Sequence, residues 1–353
     1  MSAYVIVALR SAVVPRGGAF RDLSIEDLGA PVVQAVLSAA GMAPDQVDEV
    51  ILSNAMGPGG NPARRVALAA GLPDRVAGLS IDRQCAGGLD ALLMARALVV
   101  AGMAEVVLAG GVESYSQRPE RRMPGAALPY DEAPFTPWPD RDPGMAEAAA
   151  ALAARLGVSR AEQDAWAVTS HAKARAADLS AEIVPIAGVR RDAFMRDLTP
   201  ALAARAGVVA GSITAANAAV AADGAAFALV VSERVARGAA RALRVDGITR
   251  GAVPWEPGLA PVAAMIEVLA GRQPDVAEVM EAYAVQAMAC VRGAGLDPAC
   301  VNRGGGALAR GHPVGASGAV LAVRLFHQMT AGGLGLAAIA AAGGIGTALV
   351  LEG

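Results

Sequence analysis

Hydrophobic positions along the chain fall into two textures. Short, mainly apolar runs (Tyr4–Leu9, Val47–Leu52, Val106–Leu108, Phe227–Val231, Val276–Met280, Leu336–Ile339 and Thr347–Leu351) are separated by long Ala-rich stretches. Runs of this length predict strands covered on both faces, and the Ala-rich stretches between them predict the covering helices. The alternation therefore predicts an α/β fold.

The pattern also repeats. The stretch from Cys85 (CAGGLDALLMARALVVAG) and that from Gly315 (GASGAVLAVRLFHQMTAG) share their spacing of small and apolar positions, with Ala101-Gly102 falling on Ala331-Gly332. Val47-Asp48-Glu49-Val50 matches Val276-Ala277-Glu278-Val279 at nearly the same separation. Two matches at one offset predict duplicated halves with a ligand cleft where they meet; the plainer reading is that two Ala-rich helices look alike.

A different texture lies between the repeats. Gln117–Asp142 carries prolines at 119, 124, 129, 134, 137 and 139, together with Trp138 and the cluster Arg118, Arg121, Arg122. Prolines and aromatics without Gly/Ser tracts predict an ordered excursion or lid rather than a linker. Ser159 and Glu162 have capping-box spacing, so a helix is expected to start at Ser159. The expected organisation is a first half of residues 1–117 plus 207–235, an inserted loop domain 118–206, and a second half 236–353.

Composition narrows the function. Hydrophobic residues make up 54% of the 353 positions but aromatics only 3%, so the interior is built from Ala, Val, Leu and Gly in close contact. Lys+Arg 30 against Asp+Glu 33 leaves no basic field for a nucleic-acid backbone. Gly, Pro, Arg or Asp cuts every apolar run before the ~18–20 residues of a membrane span. Residues 1–14 show no tripartite signal, and 3 irregularly spaced cysteines (Cys85, Cys290, Cys300) make neither a disulfide framework nor a zinc site. A cytoplasmic protein with no metal and no permanently bound cofactor is expected.

Cys85 follows a short expected strand, Leu79–Ile81, and precedes a Gly-rich turn into a helix expected from near Leu89. A helix N-terminus carries about half a positive charge and free N–H groups, which favour a thiolate and an oxyanion. A lone cysteine is otherwise an ordinary small hydrophobe. His312 stands in Gly311-His312-Pro313-Val314-Gly315-Ala316-Ser317-Gly318, where a glycine turn holds it with little freedom, as a general base requires. His171 and His327 lie in helix-like stretches where packing or surface roles are the ordinary reading. Ala342-Gly343-Gly344-Ile345-Gly346 is either a plain hairpin turn or an oxyanion-binding one, and Gly110-Gly111 reads as close strand packing. The repeat would set Cys85 and His312 on related turns across one cleft.

These residues resemble the thiolase family. Asn61-Pro62-Ala63-Arg64, Asp82-Arg83-Gln84-Cys85-Ala86-Gly87-Gly88, Gly110-Gly111-Val112-Glu113-Ser114, Thr214-Ala215-Ala216-Asn217, the His312 motif and the closing glycine turn occur in family order over almost the whole chain. The resemblance implies two duplicated αβαβα halves with layered five-stranded mixed sheets, an inserted loop domain, a coenzyme A thioester substrate and a homodimer or homotetramer. It implies that Cys85 takes the acyl group, that His312 activates it, and that backbone N–H groups of Cys85 and Ala342 form the oxyanion hole. Contacts to CoA and its pantetheine arm would fall to Ala215, Ala219, Met145 and His171.

The chain departs from the family at three places. The second cysteine, acid and base on the carbon nucleophile, is Ala340; Asn-Glu-Ala-Phe is Met280-Glu281-Ala282-Tyr283; and a pantetheine-binding serine is Ala219. Methionine is a poor replacement for an amide that holds a water. Cys290 and Cys300 do not occupy the missing position and read as structural. Acylation of Cys85 is expected to be intact and carbon–carbon chemistry impaired. A non-catalytic subunit kept for a protein partner, and a thioesterase or decarboxylating condensing enzyme, are the alternatives.

Overall fold

The computed structural model describes residues 2–353, so Met1, counted in the first half, lies outside the described residues. Nine strands carry the architecture: β1 (Ala3–Ser11), β2 (Glu49–Ser53), β3 (Leu79–Ile81), β4 (Val106–Glu113), β5 (Ala222–Ser232), β6 (Leu243–Gly251), β7 (Val276–Val279), β8 (Leu334–Ala341) and β9 (Ile345–Glu352). Eight helices matter here: α1 (Ile25–Ala40), α2 (Pro62–Ala69), α3 (Gly87–Val100), α4 (Met145–Leu156), α5 (Arg160–Ala176), α6 (Pro261–Leu269), α7 (Ala284–Gly293) and α8 (Val314–Gln328).

The strands form one continuous sheet in the order β7-β8-β9-β6-β1-β5-β4-β2-β3. Its two wings have the same topology. In one, β2 runs parallel to β4, which is antiparallel to β5, which is antiparallel to β1. In the other, β7 runs parallel to β8, β8 antiparallel to β9, and β9 antiparallel to β6. The wings join where β1 and β6 pair at Tyr4 with Arg244 and Val5 with Leu243. The counterpart of edge strand β3 is reduced to a single bridge between Ala277 and Val301, so the second wing has four strands where five were expected. The sheet registers agree with the sequence match: Val50 pairs with Leu108 and Val279 with Ala338, so both partners are displaced along the chain by nearly the offset of the repeat.

Strand β6 escaped the hydrophobic pattern because Arg244, Asp246, Thr249 and Arg250 interrupt it. Its partners supply what its sequence lacks: it is hydrogen-bonded along its whole length to β9, and Gly247 lies where a Cβ would sit 2.6 Å from the Ala348 carbonyl oxygen.

The layers follow from which faces are apolar. Val32, Val33 and Val36 of α1 and Val66 of α2 cover the outer face of the first wing. Ala264 and Met265 of α6 with Val291 of α7 cover that of the second. The central core is shared by α3, α8 and both inner sheet faces, with Leu89, Leu92, Val320, Leu321, Val245 and Ile339 in one cluster. Helices α3 and α8 cross there through glycine: a Cβ on Gly88 would lie 2.3 Å from the Ala319 nitrogen, and one on Gly318 would lie 2.5 Å from the Leu89 nitrogen.

The chain leaves the sheet after β4, and residues 118–206 contain α4 and α5 and touch the sheet again at Ile183–Val184, which pairs parallel with Arg10 and Ser11 of β1. Ser159 caps α5 with Glu162 in a capping box, as its spacing predicted. A buried ionic network anchors the segment. Arg10 on β1 donates to Glu182 at 2.7 Å and to Asp192 at 2.7 Å, and Arg324 on α8 donates to Glu182 at 2.7 Å. Removing one partner of such a buried set leaves an uncompensated charge, a cost of about 3–5 kcal/mol.

Gly318→Ala tests the central crossing. The substitution normally favours a helix by about 1 kcal/mol, yet here the added methyl meets backbone. A loss of about 1–3 kcal/mol, read as a lower Tm, is expected, and an unchanged or higher Tm would contradict the packing described.

Candidate active site

Strand β3 ends at Ile81 and the chain turns sharply. The Gln84 N–H donates to Asp82 Oδ1 at 2.9 Å, and Gln84 adopts φ +45°, a left-handed conformation that side chains other than glycine rarely take. A 3-10 turn, Gln84–Ala86, carries Cys85, and α3 starts at Gly87, two residues before the expected position. Gly87 is required there because a Cβ would lie 2.0 Å from Ser53 Oγ.

His312 is fixed from the other side. Its N–H donates to the Val220 carbonyl at 2.8 Å, and the Ala222 N–H donates back to the His312 carbonyl at 3.3 Å. Gly311 before it has φ +108°, and Pro313 leads into α8. The pairing of the two motifs follows directly: His312 Nε2 lies 3.1 Å from Cys85 Sγ, across the crossing of α3 and α8. His312 Nδ1 lies 2.6 Å from Ser317 Oγ, and that hydroxyl donates to the Pro313 carbonyl at 3.2 Å. With the Ser317 proton so placed, Nδ1 is the protonated nitrogen and Nε2 is free to accept from the thiol.

Electrostatics corrects the thiolate expectation. Burial pushes the Cys85 thiol up to about 12; its own backbone N–H pulls it down, and the charges of Glu113 and Asp82 raise it further. Burial pushes His312 down to about 4. Desolvation outweighs the helix N-terminus, so the resting pair is a neutral thiol facing a neutral imidazole.

Glu113, the last residue of β4 and part of the Gly110–Ser114 motif, supports this arrangement in a role that the motif alone did not assign. Its carboxylate is fully buried and accepts from the N–H groups of Gly315 (2.9 Å) and Ala55 (3.2 Å) and from Asn54 Nδ2 (2.9 Å). Burial pushes its pKa up to about 7 against those backbone donors. Gly111 on the same strand would place a Cβ 2.3 Å from the Gly315 carbonyl oxygen, so the close packing read for Gly110-Gly111 reaches the histidine turn itself.

A largely apolar cavity of about 140 Å3 opens at the sulfur, bordered by Cys85, His312, Met145, Ala219, Ala340 and Ala342 among others. Ala342 belongs to the three-residue hairpin between β8 and β9, in which Gly343 and Gly344 have φ +74° and +73°. Ala215 and His171 do not border it. Ala215 is exposed and donates its N–H to the Gly207 carbonyl at 3.0 Å. His171 is buried in α5, accepting from the Arg196 N–H at 3.3 Å with its ring beside Phe194, because that helix face turns toward residues 194–196. Met280 is also absent from the wall, its side chain being packed in the central core at 1% exposure. Cys290 donates to the Gly258 carbonyl at 3.2 Å, and Cys300 is buried in the outer core of the second wing.

Residues 3–234 match the family described as thiolase, N-terminal domain, and residues 240–353 match thiolase, C-terminal domain. The chain belongs to the thiolase family. Among its relatives, YhfS of Bacillus subtilis is 39% identical over 100% of this chain and 99% of that one. The acetyl-CoA acetyltransferase of Cupriavidus necator is 35% identical over 99% and 98%. Two solved structures share this thiolase's fold. The Bacillus anthracis acetyl-CoA acetyltransferase matches with a TM-score of 0.91 at 33% identity, covering 99% of this chain and 98% of that one. Acat5 thiolase from Ascaris suum, in complex with coenzyme A, matches at 0.92 and 27% identity over 100% of both chains. No helix among the described residues is long and apolar enough to cross a membrane.

The neutral pair gives a pH signature. His312 accepts a proton only where it is itself neutral, so labelling of Cys85 by a small electrophile is expected to inflect near pH 4 and to show no step at 6.5, the ordinary imidazole value. The unfolded chain takes up that proton at the ordinary value and the folded one does not, so this group's stabilising contribution is present above 6.5 and is lost as pH falls toward 4. Mass spectrometry of Cys85 labelling across this range checks both the rate and its inflection; a step at 6.5 would contradict the buried neutral pair.

Proposed function

We propose that this chain is an acyl-CoA acyltransferase of the acetyl-CoA C-acyltransferase kind, working through an acyl-enzyme on Cys85. The observation that carries this reading is the 3.1 Å contact between His312 Nε2 and Cys85 Sγ at the head of the cavity. His312 takes the thiol proton as the sulfur attacks the thioester carbonyl. The tetrahedral oxyanion is held by the backbone N–H groups of Cys85 and Ala342. Collapse breaks the bond to the CoA sulfur, which leaves with the proton from His312. The acyl group remains on Cys85 and passes to the acceptor.

None of these steps requires the side chains lost at positions 280 and 340, because the oxyanion donors are backbone groups. Carbon–carbon chemistry is different. It needs a proton carrier at the α-carbon, and Ala340 presents a methyl group to the cavity where a thiol would serve. Met145 and Ala219 line the same cavity and would border the acyl and pantetheine groups. The retained, hydrogen-bonded Cys85–His312 pair favours catalysis over a purely partner-binding role.

Brief incubation with acetyl-CoA is expected to add one acetyl group to the intact protein and none to Cys85→Ala; an adduct that persists in the variant, or none in either, would overturn the reading. Ala340→Cys is expected to raise acetoacetyl-CoA thiolysis on the order of 10²-fold while leaving acetylation by acetyl-CoA unchanged. Equal effects on both reactions, or none, would show that position 340 does not limit carbon–carbon chemistry.

A further inference from the structure

The side-chain donors around the cavity are almost all committed. Cys85 and His312 face each other. Gln286 accepts from the Ala282 N–H at 3.2 Å and donates to Cys290 Sγ at 3.4 Å. Glu256 pairs with Arg155 at 3.1 Å. The N–H of Ala219, another lining residue, is committed as well, donating to the Ala282 carbonyl at 2.9 Å. What remains in the wall is Tyr283, whose phenol is, among the described residues, the one polar side chain there without a partner.

Tyr283 is held with little freedom. Its backbone bridges to Ala218, and the next residue donates its N–H to the Asn217 carbonyl at 2.9 Å. Two residues before it, Glu281 accepts from Trp166 Nε1 (3.0 Å), Ser170 Oγ (2.7 Å) and Asn302 Nδ2 (2.9 Å), which locks the Glu281-Ala282-Tyr283 segment in place. Burial raises the phenol pKa, and the charges of Glu132, Cys85 and Glu147 raise it further, so the group stays a donor throughout the neutral range. A phenol taken out of water usually finds a partner; this half-buried one lines the cavity beside Cys85 and His312 with its hydroxyl unpartnered among the described residues.

Two substrate oxygens need donors. Under the acyl-enzyme reading, on which this inference rests, the oxygen of the carbonyl attacked by Cys85 is served by backbone. The thioester oxygen of the carbon acceptor, which takes on enolate charge, receives nothing from Met280, buried in the core. We infer that Tyr283 is a further catalytic residue, its hydroxyl donating a hydrogen bond to the enolate oxygen of the acetyl thioester that is formed or consumed at the carbon–carbon bond.

The test compares two ways of making the same acetyl-Cys85. Acetyl-CoA acylates the cysteine with a thiol as leaving group and forms no enolate. Acetoacetyl-CoA acylates it by breaking the carbon–carbon bond and releases the enolate of acetyl-CoA, whose α-carbon takes up the proton that His312 removed from the thiol. Tyr283→Phe is expected to leave the first rate within about twofold and to slow the second by roughly 10²–10³-fold, the usual consequence of losing one oxyanion donor. Rapid-quench mass spectrometry reads both. Equal slowing of both reactions, failure of the variant to acetylate from acetyl-CoA, or no slowing of either would overturn the assignment, as would a wild-type protein that acetylates from acetyl-CoA but never cleaves acetoacetyl-CoA. A wild-type protein that acetylates from neither substrate would refute the acyl-enzyme reading instead.

Discussion

Helices α3 and α8 pass each other at glycines, and the site exists because of that approach. Gly88 and Gly318 leave no room for a Cβ between the backbones, and the N-terminal ends of the two helices carry Cys85 and His312 toward each other. A methyl group on either glycine separates the helices, and a shift of one ångström would turn a 3.1 Å hydrogen bond into a weak contact. The same crossing buries the inner faces of both sheet wings in one core. Fold and chemistry therefore share one constraint, and the central core at that crossing is filled mainly by Ala, Val and Leu.

Around the crossing, polar groups are arranged to hold the turns rather than to charge the site. Glu113 collects backbone donors from beneath Gly315, Glu281 ties α5 to the loop that precedes His312, and Arg10, Glu182, Asp192 and Arg324 fasten the inserted segment to β1 and α8. The pair at the centre stays neutral because its burial is more costly for charge than the helix end is favourable. Under the proposed mechanism, proton transfer accompanies attack, because the resting thiol keeps its proton.

Much of this was legible in the sequence, and the limits are physical. The Cys85 and Gly315 stretches look alike because each must supply a small residue at the crossing, so the repeat carried the duplication and the pairing of Cys85 with His312. The glycines of the closing hairpin were legible for the same reason. Strand β6 was not, since its alternating charges pair with neighbours that its own pattern does not reveal. His171 and Ala215 were placed by resemblance alone, and the turn of one helix face took His171 away from the cavity. Glu113 and Ser317 lay inside quoted motifs, but their roles depend on which backbone groups the fold brings within reach. Tyr283 was noted only as a departure from a phenylalanine; its unpartnered phenol is a property of the cavity.

The account's central claim is that the two halves jointly build one acyl-transfer site at the helix crossing. A crystal structure of the protein trapped after exposure to acetyl-CoA tests it most directly. The account predicts an acetyl group on Cys85 Sγ, its carbonyl oxygen within hydrogen-bond distance of the Cys85 and Ala342 nitrogens and its methyl in the apolar cavity. An acetyl group on another residue, or a carbonyl oxygen turned away from both nitrogens, would contradict it.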